Sequence, residues 1–229
     1  MDVEALKKEA GIAACKYVAE GMHVGLGTGS TVKYTILELG RRVREEGLSI
    51  IGVPTSIATR QLANEVGIPL ANLDELNGLD VVIDGTDEFD PSFQLIKGGG
   101  AALLREKVVA QASKMMVVVA DDRKQVATLG AFPLPIEITP FSFKTTKRAI
   151  ASALDCEVNM RMENDELLKT DNGNYIADAH TGPTISDPEA TERRLLGLAG
   201  VVQVGLFNNM CSVVVMASDA GVSILTKDD

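Results

Sequence analysis

Short runs of consecutive apolar residues, too uniform to alternate between a wet and a dry face, constrain this chain more than any other feature. Met115–Ala120 reads MMVVVA, and Val81-Val82-Ile83 leads straight into Asp84. Strands that are hydrophobic on both faces belong to parallel sheets covered on both sides. Amphipathic stretches separate them: residues 2–20 set Val3, Leu6, Ala10, Ala13 and Tyr17 on one helical side. The sequence predicts strands over 22–26, 48–53, 80–83 and 115–120, with 94–96 extended. Helices are predicted over 2–20, from a cap at Ser30 or Thr31 to about Glu46, over 56–66 and over 101–113. Strands alternating with helices in this way specify an α/β fold with a doubly wound, Rossmann-like parallel sheet.

The pattern changes near Leu129. Strands over 134–139, 157–162, 174–179 and 201–204, with helices over 142–154 and 187–198, give the order β-α-β-β-α-β of a ferredoxin-like α+β unit. Asp187 is set to cap the second of these helices, with Pro188 at its first position. Asn172-Gly173 marks the turn before the third strand. Two closing strands, 212–217 and 221–225, are expected to return to the first sheet. The expected division is residues 1–129 with 206–229 as the Rossmann-like domain. Residues 130–205 form the smaller ferredoxin-like domain, serving as a lid or an oligomer contact.

A net charge of −10 argues against nucleic acid as the main partner, because that binding needs a basic footprint. A phosphorylated metabolite remains open, since a local cluster of N–H groups and lysines can hold one phosphate. The three cysteines, Cys15, Cys156 and Cys211, lack paired spacing, which points to small buried hydrophobes rather than a disulfide framework or zinc site. The start of the chain is charged, and no apolar run approaches the ~20 residues that span a bilayer. A soluble, cytoplasmic protein with no membrane partner is expected.

Three glycine-bearing segments carry the chemistry. Gly25-Leu26-Gly27-Thr28-Gly29-Ser30-Thr31 follows a strand and opens a helix. The free N–H groups of that first turn, with the hydroxyls of Thr28, Ser30 and Thr31, suit a phosphate. The same residues also suit a plain tight turn. The spacing G-x-G-x-G is not that of a dinucleotide loop, and the lysine of a nucleotide loop is missing, so NAD and ATP are disfavoured.

Asp84-Gly85-Thr86-Asp87-Glu88 follows the apolar strand, where ligands bind in open α/β sheets. Carboxylates there can accept hydrogen bonds from sugar hydroxyls or shuttle a proton during ring opening. A divalent metal or a turn-forming loop would use the same residues, and Asp90-Pro91 reads as the turn.

Lys97 precedes Gly98-Gly99-Gly100 and a helix, and can neutralise an enediolate or a phosphate. Glu106, on that helix, has Ala102, Leu103, Val109 and Ala110 three and four positions away. A carboxylate on an apolar face is costly unless it is paired, protonated or functional. Such a group is either a general base or one half of an ion pair with a residue distant in sequence. Arg105 and Lys107 face other directions and are expected in solvent. Lys124 ends the charged run after the strand 115–120, where it reaches a phosphate or simply meets water. Neither His23 nor His180 has a partner at catalytic or metal spacing.

With these segments laid out, the chain resembles the type A ribose-5-phosphate isomerases. The match runs through GLGTGST, DGTDEFD, KGGGAALLREK, ADDRKQV, FPLPIEI, TDNGN and GVVQVGLF, nearly the whole chain. That family typically shows DGADE where this chain has Thr86, and often a threonine at the position of Leu104; both changes spare the charged groups. The resemblance implies a sugar phosphate held by Thr28, Gly29, Ser30 and Thr31, by Asp84, Gly85, Thr86 and Asp87, and by Lys97, Gly98, Gly99 and Gly100. It implies Glu106 as proton acceptor, Lys124 as a further substrate contact, catalysis without metal or organic cofactor, and a homodimer or homotetramer. Two other readings use similar chemistry: an amino-sugar phosphate deaminase or lactonase, and a sugar-phosphate sensor without turnover.

Overall fold

The computed structural model describes residues 2–227, which divide into two compact units. The first takes in the chain up to Thr86, then Arg105–Lys124, then the chain from Met210 onward. The second consists of Asp87–Leu104 and Gln125–Asn209.

The first unit is built on a six-stranded sheet. From edge to edge its strands are Gly221–Thr226, Val213–Ser218, Met116–Asp121, Val81–Gly85, His23–Leu26 and Ile51–Pro54. All neighbours run parallel except Gly221–Thr226, which is antiparallel to Val213–Ser218. The two closing strands therefore return to the first sheet. Met116–Asp121 is buried at every position, as the apolar run through Ala120 requires. One face packs Val24, Leu26, Val81, Ile83, Val117 and Val119 against Leu6 and Ala10 of helix Val3–Ala14 and Ile36 and Leu39 of helix Val32–Glu46. On the other face Gly25 and Val82 meet Val109 of helix Leu103–Gln111. A Cβ on Gly25 would lie 2.6 Å from Val109 Cγ1 and 2.8 Å from Val82 Cβ, so only glycine lets this helix lie so close to the strand.

Two predicted helices prove shorter. The first ends at Ala14, continues as a single 3₁₀ turn over Cys15–Tyr17, and gives way to extended backbone at Val18, which is buried. The helix predicted over 101–113 runs from Leu103 to Gln111, because Ala101 has φ 57° and cannot join a right-handed helix.

In the second unit a four-stranded sheet has the order Val201–Val204, Leu134–Ile138, Tyr175–His180, Glu157–Met160, with every pair antiparallel. Helices Phe143–Leu154 and Pro188–Leu196 complete β-α-β-β-α-β. Asp187 caps the latter, its carboxylate accepting from Ala190 N–H at 2.9 Å. The core is aliphatic, with Leu134, Ile136, Ile138, Ile150, Val158, Leu195 and Val204 at its centre. A short hairpin, Met162–Glu163 with Glu166–Leu167, interrupts what was predicted as one strand through 162. Its turn residues Asn164 and Asp165 are both left-handed, as a tight two-residue hairpin demands.

The second unit is wider than the expected residues 130–205. Glu88–Phe89, Leu95–Ile96 and Leu206–Phe207 form a three-stranded antiparallel sheet. This pairing draws Asp87–Leu104 into the second unit, and the later boundaries fall after Lys124 and Asn209. Among the described residues no helix is long and apolar enough to cross a membrane.

Candidate active site

In the first unit the loop after strand His23–Leu26 is fixed at its base and open at its tip. Thr28 N–H donates to Asp84 Oδ1 at 3.0 Å, and Gly85 N–H donates to the same oxygen at 2.8 Å. A Cβ on Gly27 would lie 2.2 Å from that oxygen, so the approach of the two loops depends on glycine. Thr28 Oγ1 lies 2.7 Å from Thr55 Oγ1 and 3.2 Å from Thr59 Oγ1. Those two hydroxyls donate in turn to the carbonyls of Leu26 and Gly27. Ser56 caps helix Ile57–Glu65 by accepting from Thr59 N–H at 3.0 Å. This hydroxyl layer was not singled out in the sequence, although Thr55-Ser56 follows the strand Ile51–Pro54 at the edge where ligands bind. Gly29 and Ser30 are exposed and Thr31 is half-buried. Thr31 occupies the cap position of helix Val32–Glu46, yet its side chain makes no capping bond.

Asp84 is fully buried, whereas Gly85 and Thr86 are half-buried. Glu106 stands in the first turn of its helix and is 3 % exposed, beside Ala102, Leu103, Val109 and Ala110, all buried. The apolar spacing around it thus marks a real interior position. Asp84 Oδ2 and Glu106 Oε2 are buried and accept no hydrogen bond, while both residues have other polar or electrostatic interactions.

Lys107 corrects an expectation: it is 2 % exposed, not solvated, and Arg105 is half-buried. The reason is the same spacing that marks Glu106, because Leu103, Leu104 and Ala110 lie three and four positions from Lys107. Lys124 ends the 3₁₀ turn Asp122–Lys124 and is half-buried. Just before it, burial pushes the Asp121 carboxyl up. The Arg123 fork at 2.7 and 3.1 Å outweighs that and, with the nearby Lys124 charge, holds the group below the usual carboxylate range.

In the second unit the remaining carboxylates separate by role. Asp87, half-buried, accepts from Gly99 N–H through Oδ2 at 2.7 Å, and a Cβ on Gly99 would lie 2.5 Å from its Oδ1. Glu88 is buried and accepts from the N–H groups of Gly130 and Phe132, which makes it a tie for that loop. Asp90 accepts from Ser92 and Gln94 N–H at 2.9 Å each, the expected turn.

Lys97 is 2 % exposed; its N–H donates to the Gly205 carbonyl at 2.8 Å, and Nζ lies 5.3 Å from the Phe207 ring centre. Gly98 has φ 110°, with Leu103 Cδ2 2.8 Å and Pro135 Cβ 3.0 Å from any added Cβ. Gly99 and Gly100 are exposed. Arg161, missed in the sequence, donates to the carbonyls of Gly98 and Gly99. Its only sequence signal is a charged residue at the end of a strand.

His23 is half-buried, its N–H bonded to Asp80, and His180 is exposed. Among the described residues no group of three or more His, Cys, Asp or Glu side chains is arranged to hold a metal ion. Cys15 and Cys211 are buried and unlinked, whereas Cys156 is half-buried.

Comparison with known proteins matches the chain over residues 51–221 to the family ribose 5-phosphate isomerase A (phosphoriboisomerase A). The ribose-5-phosphate isomerase A of Streptococcus pyogenes serotype M3 is 47% identical over 223 residues, covering 97% of each chain. The structure of ribose 5-phosphate isomerase A from Methanocaldococcus jannaschii superposes with a TM-score of 0.93 at 38% identity, covering 99% of this chain and 100% of that one. A D-ribose-5-phosphate isomerase in complex with phospho-erythronic acid superposes with a TM-score of 0.95 at 40% identity, again covering 99% and 100%. Neither a deaminase nor a sensor is among these relatives. The chain belongs to the ribose 5-phosphate isomerase A family.

Proposed function

We propose that this chain interconverts D-ribose 5-phosphate and D-ribulose 5-phosphate, with Glu106 moving the proton between C2 and C1. The burial of the Glu106 carboxylate in an apolar helical turn carries the assignment. A base kept from bulk water meets the weak carbon acid directly, and proton transfer of this kind contributes about 10²–10⁴-fold. Glu106 takes the C2 proton of the open-chain aldose, and the C2–H electron pair moves through the carbonyl to leave a cis-enediolate with its negative charge on O1. The O2 proton passes to O1, and Glu106 returns its proton to C1 to leave the ketose. Substrate and product are isomers, so no redox partner is required.

The other groups of the three glycine-bearing segments divide the remaining work. The loop tip Gly29–Thr31, before helix Val32–Glu46, suits the phosphate, as does Lys124. Thr28 and Asp84 tie that loop to the carboxylate loop. Asp87, the less buried of the two aspartates, assists ring opening. Lys97, with the N–H groups of the glycine segment, steadies the developing oxyanion. Gly99 N–H is committed to Asp87, which narrows that donor set. Phospho-erythronic acid, held by a solved relative, carries a phosphate and a carboxylate whose charge can stand in for that of an enediolate. A cytoplasmic homodimer or homotetramer completes the reading, and sedimentation measures its size.

Glu106→Gln tests the assignment, with chelator present. Turnover of ribose 5-phosphate and exchange of its C2 proton in heavy water should fall by at least about 10²-fold, with substrate affinity nearly unchanged. Wild-type turnover in this variant would remove Glu106 from the mechanism.

A further inference from the structure

We propose that Arg161 is a positioning residue for the isomerisation: anchored by Asp178, it fixes the peptide planes of the Gly98–Gly100 segment and so aims its N–H donors. The proposal rests on the isomerase reading, in which this segment faces the sugar.

The anchor is a two-point fork. Arg161 Nε donates to Asp178 Oδ2 at 2.9 Å and Nη2 to Oδ1 at 2.5 Å. Both side chains are largely buried. Neither backbone is loose. Arg161 N–H donates to the Ile176 carbonyl at 2.9 Å, and its own carbonyl accepts from Leu168 N–H at 3.0 Å. Asp178 sits mid-strand, in register with Asn159 on one side and Pro135 on the other. The guanidinium is therefore mounted on the four-stranded sheet.

Its remaining nitrogen serves the glycine segment. Nη1 donates to the Gly98 carbonyl at 2.7 Å and to the Gly99 carbonyl at 3.0 Å. The peptide joining Gly98 to Gly99 is then held at both ends, by Arg161 at its carbonyl and by Asp87 at its N–H. In the next peptide, Arg161 holds the Gly99 carbonyl. A trans peptide directs its N–H opposite to its C=O, so Gly100 N–H must point away from Arg161. A cation on the carbonyl also polarises the same amide and makes its N–H a stronger donor.

Three consecutive glycines would otherwise sample many conformations. The segment is bounded by Gly98 at φ 110°, which glycine adopts freely, and by Ala101 at φ 57°, a shape that persists only when its surroundings impose it. Lysine could replace the charge of Arg161 but not its fork.

Arg161→Lys and Arg161→Met, compared with wild type on ribose 5-phosphate, test the proposal. Both should lower kcat about 10–100-fold while KM changes less, because a small misplacement of preorganised donors acts on the reaction step. Affinity for phospho-erythronic acid should fall with kcat. Millimolar methylguanidinium should restore part of the Arg161→Met loss, and methylammonium should not. Amide exchange at Gly100 should accelerate in Arg161→Lys, a readout independent of turnover.

Near wild-type kcat in both variants overturns the proposal. So does a rise in KM alone, or a loss in Arg161→Lys that merely tracks its unfolded fraction. If the wild-type chain fails to turn over ribose 5-phosphate, the isomerase reading fails separately, and the Gly100 exchange rate still reports on the clamp.

Discussion

Oδ2 of Asp87 lies 2.7 Å from the backbone nitrogen of Gly99, so a carboxylate proposed to move protons also holds a glycine segment in shape. The two duties respond differently to substitution. An amide at position 87 keeps an oxygen that can accept from Gly99, and a methyl group keeps nothing.

Asp87→Ala should therefore lower kcat further than Asp87→Asn, by up to about tenfold, since the neutral hydrogen bond that the amide keeps is worth ~0.5–1.5 kcal/mol. Steady-state kinetics on ribose 5-phosphate give the ratio. Equal and large losses would mean that charge, not the tether, is what the reaction uses.

Gly27→Ala places a Cβ 2.2 Å from Asp84 Oδ1 and 2.6 Å from its Cα. Backbone must move, and Thr28 N–H leaves the carboxylate. The expected loss is about 1–3 kcal/mol of stability, roughly 2–4 °C of Tm for each. Turnover should fall as well, because the displaced loop is the one assigned to phosphate. Calorimetry and kinetics on the same preparation check both.

Glu137 in the second unit is fully buried and accepts at one oxygen from Thr170 Oγ1 at 2.9 Å, Asn172 Nδ2 at 3.0 Å and Asn174 Nδ2 at 2.9 Å. Glu137→Ala removes the acceptor of three donors, of which only Thr170 is buried, and should cost about 1–3 kcal/mol in urea unfolding. Glu137→Gln keeps an acceptor oxygen and should cost less than half of that. The order of the two variants is the test.

Burial pushes the Cys15 and Cys211 thiols up to about 12, and it raises Cys156 by a smaller amount. Near pH 8 only about 1 in 10⁴ of the two buried thiols is ionised, so a thiolate-seeking reagent should label Cys156 first in the native protein. The folded state prefers the protonated thiol. The stability this provides is complete below the ordinary thiol range near ~8.5 and drains away as pH climbs toward 12. Mass spectrometry of labelled peptides, and unfolding at pH 8 against pH 10.5, read the two effects.

Legibility in the sequence followed the range of the interactions. Met116–Asp121 was recognisable because burial on both faces leaves a run without alternation. Glu106 was recognisable because its helical neighbours are apolar, and the same test applied to Lys107 would have shown its burial too. The hydroxyl layer of Thr55 and Thr59 was not legible, since its partners Thr28 and the Leu26 and Gly27 carbonyls come from another strand and loop. Nor was the pairing of Leu95–Ile96 with Leu206–Phe207, because two-residue strands carry no period and the partners lie far apart in the chain. That pairing moved the domain boundary. A change in pattern near Leu129 marked where one set of elements ends, not which surfaces pack together.

Strand Val213–Ser218 sits inside the six-stranded sheet, next to Met116–Asp121. During translation the older strand is finished long before its neighbour exists. At roughly 5–20 residues per second the wait is on the order of ten seconds. For that interval a valine-rich edge is open to any other extended segment, including that of a sister nascent chain on the same message. Yield at high expression should thus depend on how quickly the ribosome reaches codon 213, and on chaperones that occupy the edge meanwhile.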